Sequence, residues 1–320
     1  MPDTSPSTWL LIDDKASHRS QILGVAQKLG WPCVEKSIRY NRLAMLANFG
    51  ARLWHLDPSS RHSINPPWPQ LVIAAGRRSA PVALAIKSRS PRTKLAHLMW
   101  PDTVPSRFDL IAVPEHDGQS YNGPNLLRTF GAPNAVTSAN LSLEAARWHP
   151  KVARLPAPKI AVLVGGSGKN MQYDPEDFKT LAGYASSEAE RLGGSLLVTS
   201  SPRTDPSAET LMKSIITAPN LFHSFKSNED NPYVAFLGLA DAVIVTGDSI
   251  SMCSEACTTH KPVYVFVPPH LKKDKGGFRE ALFERGYAKP HTYPIRLDWH
   301  PAAMPDAAAV VAQAIKTMMR

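Results

Sequence analysis

The stretch Ala242–Ala256, AVIVTGDSISMCSEA, puts an apolar run in front of a polar Gly-Asp-Ser turn and a short helix. Such a helix starts at the carboxyl end of a parallel strand, where open α/β sheets take their ligands. Its first turn offers unsatisfied backbone N–H groups around Asp248, Ser249, Ser251 and Met252, and the two serine hydroxyls add donors suited to a phosphate or diphosphate. Glu255 follows Ser251 by four residues, hence on the same helical face, where a carboxylate can hold ribose hydroxyls. The same residues also have a ligand-free reading, because Asp248 can cap the helix by itself. A capping box is excluded, since the third residue after Ser249 is Met252 and the third after Ser251 is Ser254.

Two further strand ends carry polar turns in the same half of the chain. Val164 leads into Gly165, Gly166, Ser167, Gly168, Lys169 and Asn170, where glycines allow close backbone approach and Lys169 adds a positive charge. The turn is neither a phosphate-binding GK[ST] loop nor a GxGxxG fingerprint. Thr199 leads into Ser200 and Arg203, and the guanidinium can clamp a phosphate through two bonds. The first half supplies different groups. Its first strand runs into Asp14, Lys15, Ser17 and His18, with His18 the natural general base and Asp14 or another carboxylate able to orient it. Another strand ends in Glu115, His116 and Asp117, a cluster suited to acid/base work or simply to bracing a loop. Arg77 and Arg78 sit at a third strand end, where an anionic acceptor can dock or where they are merely solvated.

These turns need a scaffold that delivers them to sheet edges. Apolar strands are expected at Trp9–Ile12, Leu71–Ala75, Asp109–Val113, Ile160–Val164, Leu196–Thr199, Ala242–Val245 and Val263–Val267, separated by helical segments. Helices are expected over Arg19–Leu29, ended by Gly30, and over Ala80–Lys87. Asp174-Pro175 and Asp205-Pro206 each pair an N-cap with a proline at the first helical position. The proline-rich stretch Trp148–Lys159 reads as a linker. The expected division is residues 1–150, residues 151–303, and a terminal helix within 304–320 that packs back on the first domain.

A chain of 320 residues, 43% hydrophobic and 20% charged, suits a soluble protein with two cores. Neither a membrane span nor a secretory or mitochondrial leader is expected, which favours the cytoplasm. Three cysteines make no complete disulfide framework. Cys253, Cys257 and His260 lack an evident fourth partner for a metal, so no metal site is expected. Residues 1–155 hold 19 of the 36 Lys and Arg and 10 of the 27 Asp and Glu, so the whole excess of +9 lies there. That asymmetry suits an anionic acceptor or surface, while no recognised motif points to nucleic acid. The segment Ser37–Leu56 adds Arg39, Arg42 and Arg52 to apolar residues, a composition that allows contact with an anionic membrane.

Six pieces, DDKASHRSQILGVAQKLG, AGRRSAPVALAIK, FDLIAVPEHD, VGGSGKNMQYD, NPYVAFLGLADAVIVTGDSISMCSEA and KPVYVF, resemble the mitochondrial-fission ELM-like family in order along most of the chain. That family resembles the GT-B glycosyltransferases. The resemblance implies an α/β fold of two Rossmann-like domains with parallel sheets facing across a cleft. It implies a nucleotide-sugar donor on the second domain, with Ser249 and Ser251 at the diphosphate, Glu255 at the ribose and His18 as base. The plant member acts as an adaptor, and bacterial relatives are often labelled sugar-nucleotide epimerases. The expectation is therefore a glycosyltransferase using a nucleoside-diphosphate sugar as co-substrate, with no obligatory metal or other cofactor. Its acceptor is expected to be lipid-linked or soluble, and its location cytoplasmic or peripheral on the inner membrane face. A non-catalytic adaptor and an epimerase stand as the alternatives.

Overall fold

In a computed structural model, residues 5–42, 53–117, 120–168, 171–268, 270 and 277–320 are described. The chain forms two compact units, residues 1–135 with 305–320, and residues 136–304. Residues 43–52, which include Arg52 and make up half of the Ser37–Leu56 segment, lie outside the described residues, as do Lys169 and Asn170.

The first unit is built on strands β1 (Thr8–Ile12), β2 (Cys33–Ser37), β3 (Leu71–Ala75), β4 (Lys94–Leu98), β5 (Leu110–Pro114) and β6 (Leu126–Thr129). All pairs are parallel and the order is β2-β1-β3-β4-β5-β6. Strands β1 and β3 are buried at every position because helices cover both faces, so they read as unbroken apolar runs. Helix α1 (Ala16–Leu29) ends at Gly30, whose left-handed backbone at φ 69° suits a residue without Cβ. Helix α2 spans Pro58–Ser63 and α3 spans Ala80–Arg89.

The second unit begins with α4 (Ser138–Val152) and continues through β7 (Lys159–Leu163), α5 (Pro175–Arg191), β8 (Ser195–Thr199), α6 (Pro206–Ile215), β9 (Asn220–His223), α7 (Tyr233–Leu239) and β10 (Ala242–Thr246). It closes with α8 (Ile250–Thr258), β11 (Val263–Phe266), α9 (Phe278–Glu284) and β12 (Lys289–Pro290). The parallel order is β12-β11-β10-β7-β8-β9. Asp174 and Asp205 cap α5 and α6 with their side chains, each followed by proline. Both sheets are doubly wound. Strand order reverses between β1 and β3 in one and between β7 and β10 in the other, and ligand crevices form at such reversals.

One expectation fails. Residues 148–152, read as linker, complete α4, and the chain divides near Ala135–Val136 instead. A reciprocal capping box between Thr137 and Asn140 starts this helix, and Pro150 falls in its last turn, where the donor it removes leaves the rest of the helical ladder intact. Trp148 is 3% exposed and meets the Phe236 ring edge-on at 6.1 Å, which ties α4 to α7. The terminal helix α10 (Ala307–Met318) returns to the first unit. It buries Ala308, Val311, Ala312 and Ile315 in the core shared with α1, and Lys28 pairs with its cap Asp306 at 2.7 Å.

Trp148→Ala is expected to lower unfolding free energy by about 3–5 kcal/mol in guanidinium titration. Leu143→Ala on the exposed face of the same helix, 68% exposed, should stay within about 0.5 kcal/mol of the parent. Similar losses for both would mean that α4 is not anchored through Trp148.

Candidate functional site

At the β7/β10 reversal three turns are drawn together by side chains. The Gly165 N–H donates to Thr246 Oγ1 at 2.7 Å, and Thr204 Oγ1 donates to the Gly165 carbonyl at 2.6 Å. Gly166 N–H donates to Asp248 Oδ2 at 3.2 Å, Arg203 Nη2 lies 2.6 Å from the same oxygen, and Tyr173 OH donates to Oδ1 at 3.3 Å. Both glycines are required by contact. A Cβ on Gly165 would lie 2.2 Å from Asp248 Oδ1, and one on Gly166 would lie 2.1 Å from the Arg203 carbonyl oxygen. Burial, with Asp248 beside it, pushes the Tyr173 phenol far above its usual range, so Tyr173 stays a donor.

The cap of α8 is Ser249, whose hydroxyl accepts from Met252 N–H, rather than Asp248. Ser251 stands in the first turn, half-buried, and its hydroxyl makes no hydrogen bond among the described residues. Glu255, two turns into the buried face, accepts from Tyr233 OH at 2.7 Å. Burial drives the Tyr233 phenol well above its ordinary value, with Glu255 adding to the shift. Arg279, buried on α9, packs its side chain against the turn at Gly247.

Two expected ligand groups are committed to the scaffold. Ser200 is buried, donates to Glu209 at 2.5 Å and accepts from Phe225 N–H at 2.8 Å. Ser167 accepts from Tyr173 N–H at 2.9 Å and holds the glycine turn against the approach to α5. The two cysteines of α8 are buried thiols, with Cys253 Sγ directed to the Thr246 carbonyl and Cys257 Sγ to that of Tyr287. Among the described residues one group, Asp174, Asp177 and His270, brings candidate metal-ligand atoms within 4.8 Å of one another. Both carboxylates already serve the reciprocal capping box of α5.

In the first unit the β1/β3 reversal holds a buried pair. His18 Nδ1 lies 2.9 and 3.0 Å from the two oxygens of Asp13, which also accepts from Lys15 N–H at 3.1 Å. The expected orienting residue, Asp14, is exposed; its neighbour Asp13 does that work. Gly76, at φ +77°, leaves the space: its Cβ would lie 2.4 Å from His18 Cε1 and 2.7 Å from Nε2. Lys15 caps the backbone of α1 and is exposed. Arg78 stacks its guanidinium 5.7 Å from the Tyr40 ring centroid, whereas Arg77 faces solvent.

Behind this pair lies His97 on β4, 1% exposed, with neither ring nitrogen hydrogen-bonded among the described residues. Burial pushes its imidazole down to about 3, and neighbouring His18 adds a smaller push, so it is neutral at neutral pH. Glu115 and His116 follow β5, three strands from β1 in the sheet. At about 4.8 Å per strand their backbone is roughly 14 Å from the His18 strand. The structure therefore groups Asp13, His18 and Gly76 and leaves Glu115 farther along the edge. Asp13, Tyr173, Thr204, Tyr233 and Arg279 were missed by sequence reasoning. Only Asp13 carried a local signal, as the first of two adjacent aspartates.

Two doubly wound parallel units with polar turns at their reversals define a GT-B-like α/β protein. The solved UDP-GlcNAc 2-epimerase of Neisseria meningitidis, bound to UDP-GlcNAc, matches with TM-score 0.58 at 12% identity, over 98% of this chain and 99% of that one. A trehalose-phosphate synthase from Burkholderia xenovorans matches with TM-score 0.53 at 10% identity, over 99% and 100%. The sequence profile of the mitochondrial fission ELM1 family matches residues 16–319, and the chain belongs to that family. An uncharacterized protein of Rickettsia prowazekii (strain Madrid E) is 26% identical over 88% of this chain and 89% of its own length. The Arabidopsis thaliana mitochondrial fission protein ELM1 is 29% identical over 73% of this chain, a match that spans 60% of the plant protein.

With Nδ1 donating to Asp13, His18 is expected to carry its proton on Nδ1 and leave Nε2 basic. Nitrogen-15 NMR of the imidazole at alkaline pH reads this directly. Asp13→Ala should release the ring to the Nε2–H form that free imidazole side chains favour. An Nε2–H tautomer in the parent protein would remove the Asp13 bond.

Proposed function

We propose that the protein is a GT-B glycosyltransferase that holds a nucleoside-diphosphate sugar on its second unit and transfers the sugar to an acceptor hydroxyl. The observation that carries this reading is the arrangement at the β7/β10 reversal: a glycine turn, the amino end of α8 with Ser251, and a buried Glu255 held by Tyr233. Fold neighbours support it, since the Neisseria enzyme is bound to UDP-GlcNAc and the Burkholderia synthase is UDP-forming. The donor diphosphate lies at the amino end of α8, beside the glycine turn at Gly165 and Gly166, and Glu255 takes the ribose hydroxyls. His18 removes the acceptor proton at Nε2. The acceptor oxygen bonds to the sugar carbon, and the nucleoside diphosphate leaves with the electron pair of the broken bond. The +9 excess of residues 1–155 favours an anionic acceptor or an acceptor on an anionic membrane. Among the described residues no helix is long and apolar enough to cross a membrane.

A second reading is a non-catalytic adaptor, and the plant relative is named for mitochondrial fission rather than for a reaction. A thermal-shift screen against UDP-, GDP-, ADP-, CMP- and TDP-sugars separates the two, because a ligand of the native state raises Tm. One family of donors should stabilise the protein, and stabilisation by none would favour the adaptor. Interconversion of the bound sugar would instead mark an epimerase.

Glu255→Ala should weaken that donor by about 10- to 150-fold, the equivalent of roughly 1.5–3 kcal/mol for a lost charged hydrogen bond. Glu176→Ala serves as control, since Glu176 is an exposed residue of α5 paired with Lys179. Equal affinities in calorimetry would take Glu255 out of the site. His18→Ala should keep donor affinity and lower turnover about 10²–10⁴-fold. Undiminished turnover would pass the base role to Glu115.

A further inference from the structure

The carboxylate of Asp248 lies in a set of donors that resembles an oxyanion cradle. Around it stand the guanidinium of Arg203 at 2.6 Å, the glycine-turn N–H of Gly166 at 3.2 Å and the hydroxyl of Tyr173 at 3.3 Å. Its side chain is 1% exposed, against 41% for Arg203, so the acid is enclosed and the cation reaches solvent. The acid does not serve its own helix, because Ser249 caps α8. A guanidinium, a backbone N–H in a glycine turn and a helix amino end are the groups that bind phosphate in proteins. Here the first two are already turned toward an anion belonging to the chain.

The geometry points to Asp248 as an internal counter-anion that fills the phosphate cradle, so that a phosphate-bearing ligand competes with it for Arg203 and the Gly166 N–H. This rests on the nucleotide reading of the site. An arriving diphosphate meets a resident negative charge and a cation that is already paired. Binding therefore requires Arg203 to exchange partners, and Asp248 limits how much negative charge the site accepts. Asp248 is thus a specificity-determining residue. It disfavours bare polyphosphates and leaves a role for Glu255, whose hydroxyl-donor partners a bare phosphate lacks.

The test is calorimetry at low ionic strength with Asp248→Asn, Asp248→Ser and Asp248→Asn/Arg203→Ala beside the parent. Inorganic pyrophosphate probes the cradle alone. UDP, GDP and ADP probe it together with the ribose contact. Asp248→Asn should bind pyrophosphate about tenfold or more tightly than the parent, with a steeper loss on adding salt, because Arg203 is released. The double variant should lose that gain. Pyrophosphate bound no more tightly by Asp248→Asn, or a gain that survives loss of Arg203, overturns the proposal. Unfolding of both single variants, judged by circular dichroism, also overturns it and makes Asp248 a strut. A gain for pyrophosphate with no nucleoside diphosphate bound by any variant retains the cradle and rejects the nucleotide reading.

Discussion

The edge of the second unit depends on one shared acceptor. Asp248 takes donors from the turn after β7, the turn after β8 and the segment that leads into α5. All three segments are irregular backbone at the rim of a parallel sheet, where no neighbouring strand can satisfy them. Drawing them onto one carboxylate brings backbone so close that side chains are excluded at Gly165 and Gly166. The hydroxyls of Thr246 and Thr204 fill the remaining bonds across the same gap. Close packing alone thus demands small and hydroxylated residues here. That composition follows from packing; the hydroxyl of Ser251, which makes no hydrogen bond among the described residues, does not.

The first unit solves the same problem with a different partner. Asp13, just beyond β1, accepts from the backbone of Lys15 and from the ring of His18, so one acid both shapes the turn into α1 and fixes an imidazole. Gly76 makes room for that ring from the strand across the reversal. A side chain there would displace the histidine, and its left-handed backbone would be strained as well. The neutral His97 beneath adds no charge to the pair.

Most strands buried on both faces were legible, because a run such as LVIAA has no other comfortable place in an α/β fold, but the buried β4 was not, since Lys94 and His97 interrupt its apolar run. The edge strands β2, β6, β9 and β12 were not, since a half-exposed strand tolerates residues such as Glu35, Lys36 and Asn220. Pro150 reads as part of a linker, but Trp148 packing on Phe236 outweighs a proline in a last helical turn. Positions of the polar turns followed from the strands. Their hydrogen bonds did not, because adjacent side chains leave a strand in opposite directions and only the fold decides which of Asp13 and Asp14 turns inward. Tyr173 and Tyr233 reach Asp248 and Glu255 from 75 and 22 residues away, distances over which no local pattern carries information.

The two acids around α8 also divide the labour of the proposed site. Asp248 lies ahead of the helix and is matched to a cation, whereas Glu255 lies within it and is matched to a neutral phenol. The amino end of α8 therefore combines the helix dipole with Arg203 and favours an anion, offset by Asp248. Four residues past Ser251, about 6 Å of helical rise, Glu255 offers a carboxylate that favours hydroxyl donors and repels a second phosphate. An anion-accepting end and a hydroxyl-accepting end at that separation fall within the length of one nucleotide. The gradient suits a ligand with phosphate at one end and sugar hydroxyls at the other. It is poorly matched to a polyanion such as nucleic acid, whose next phosphate would meet Glu255.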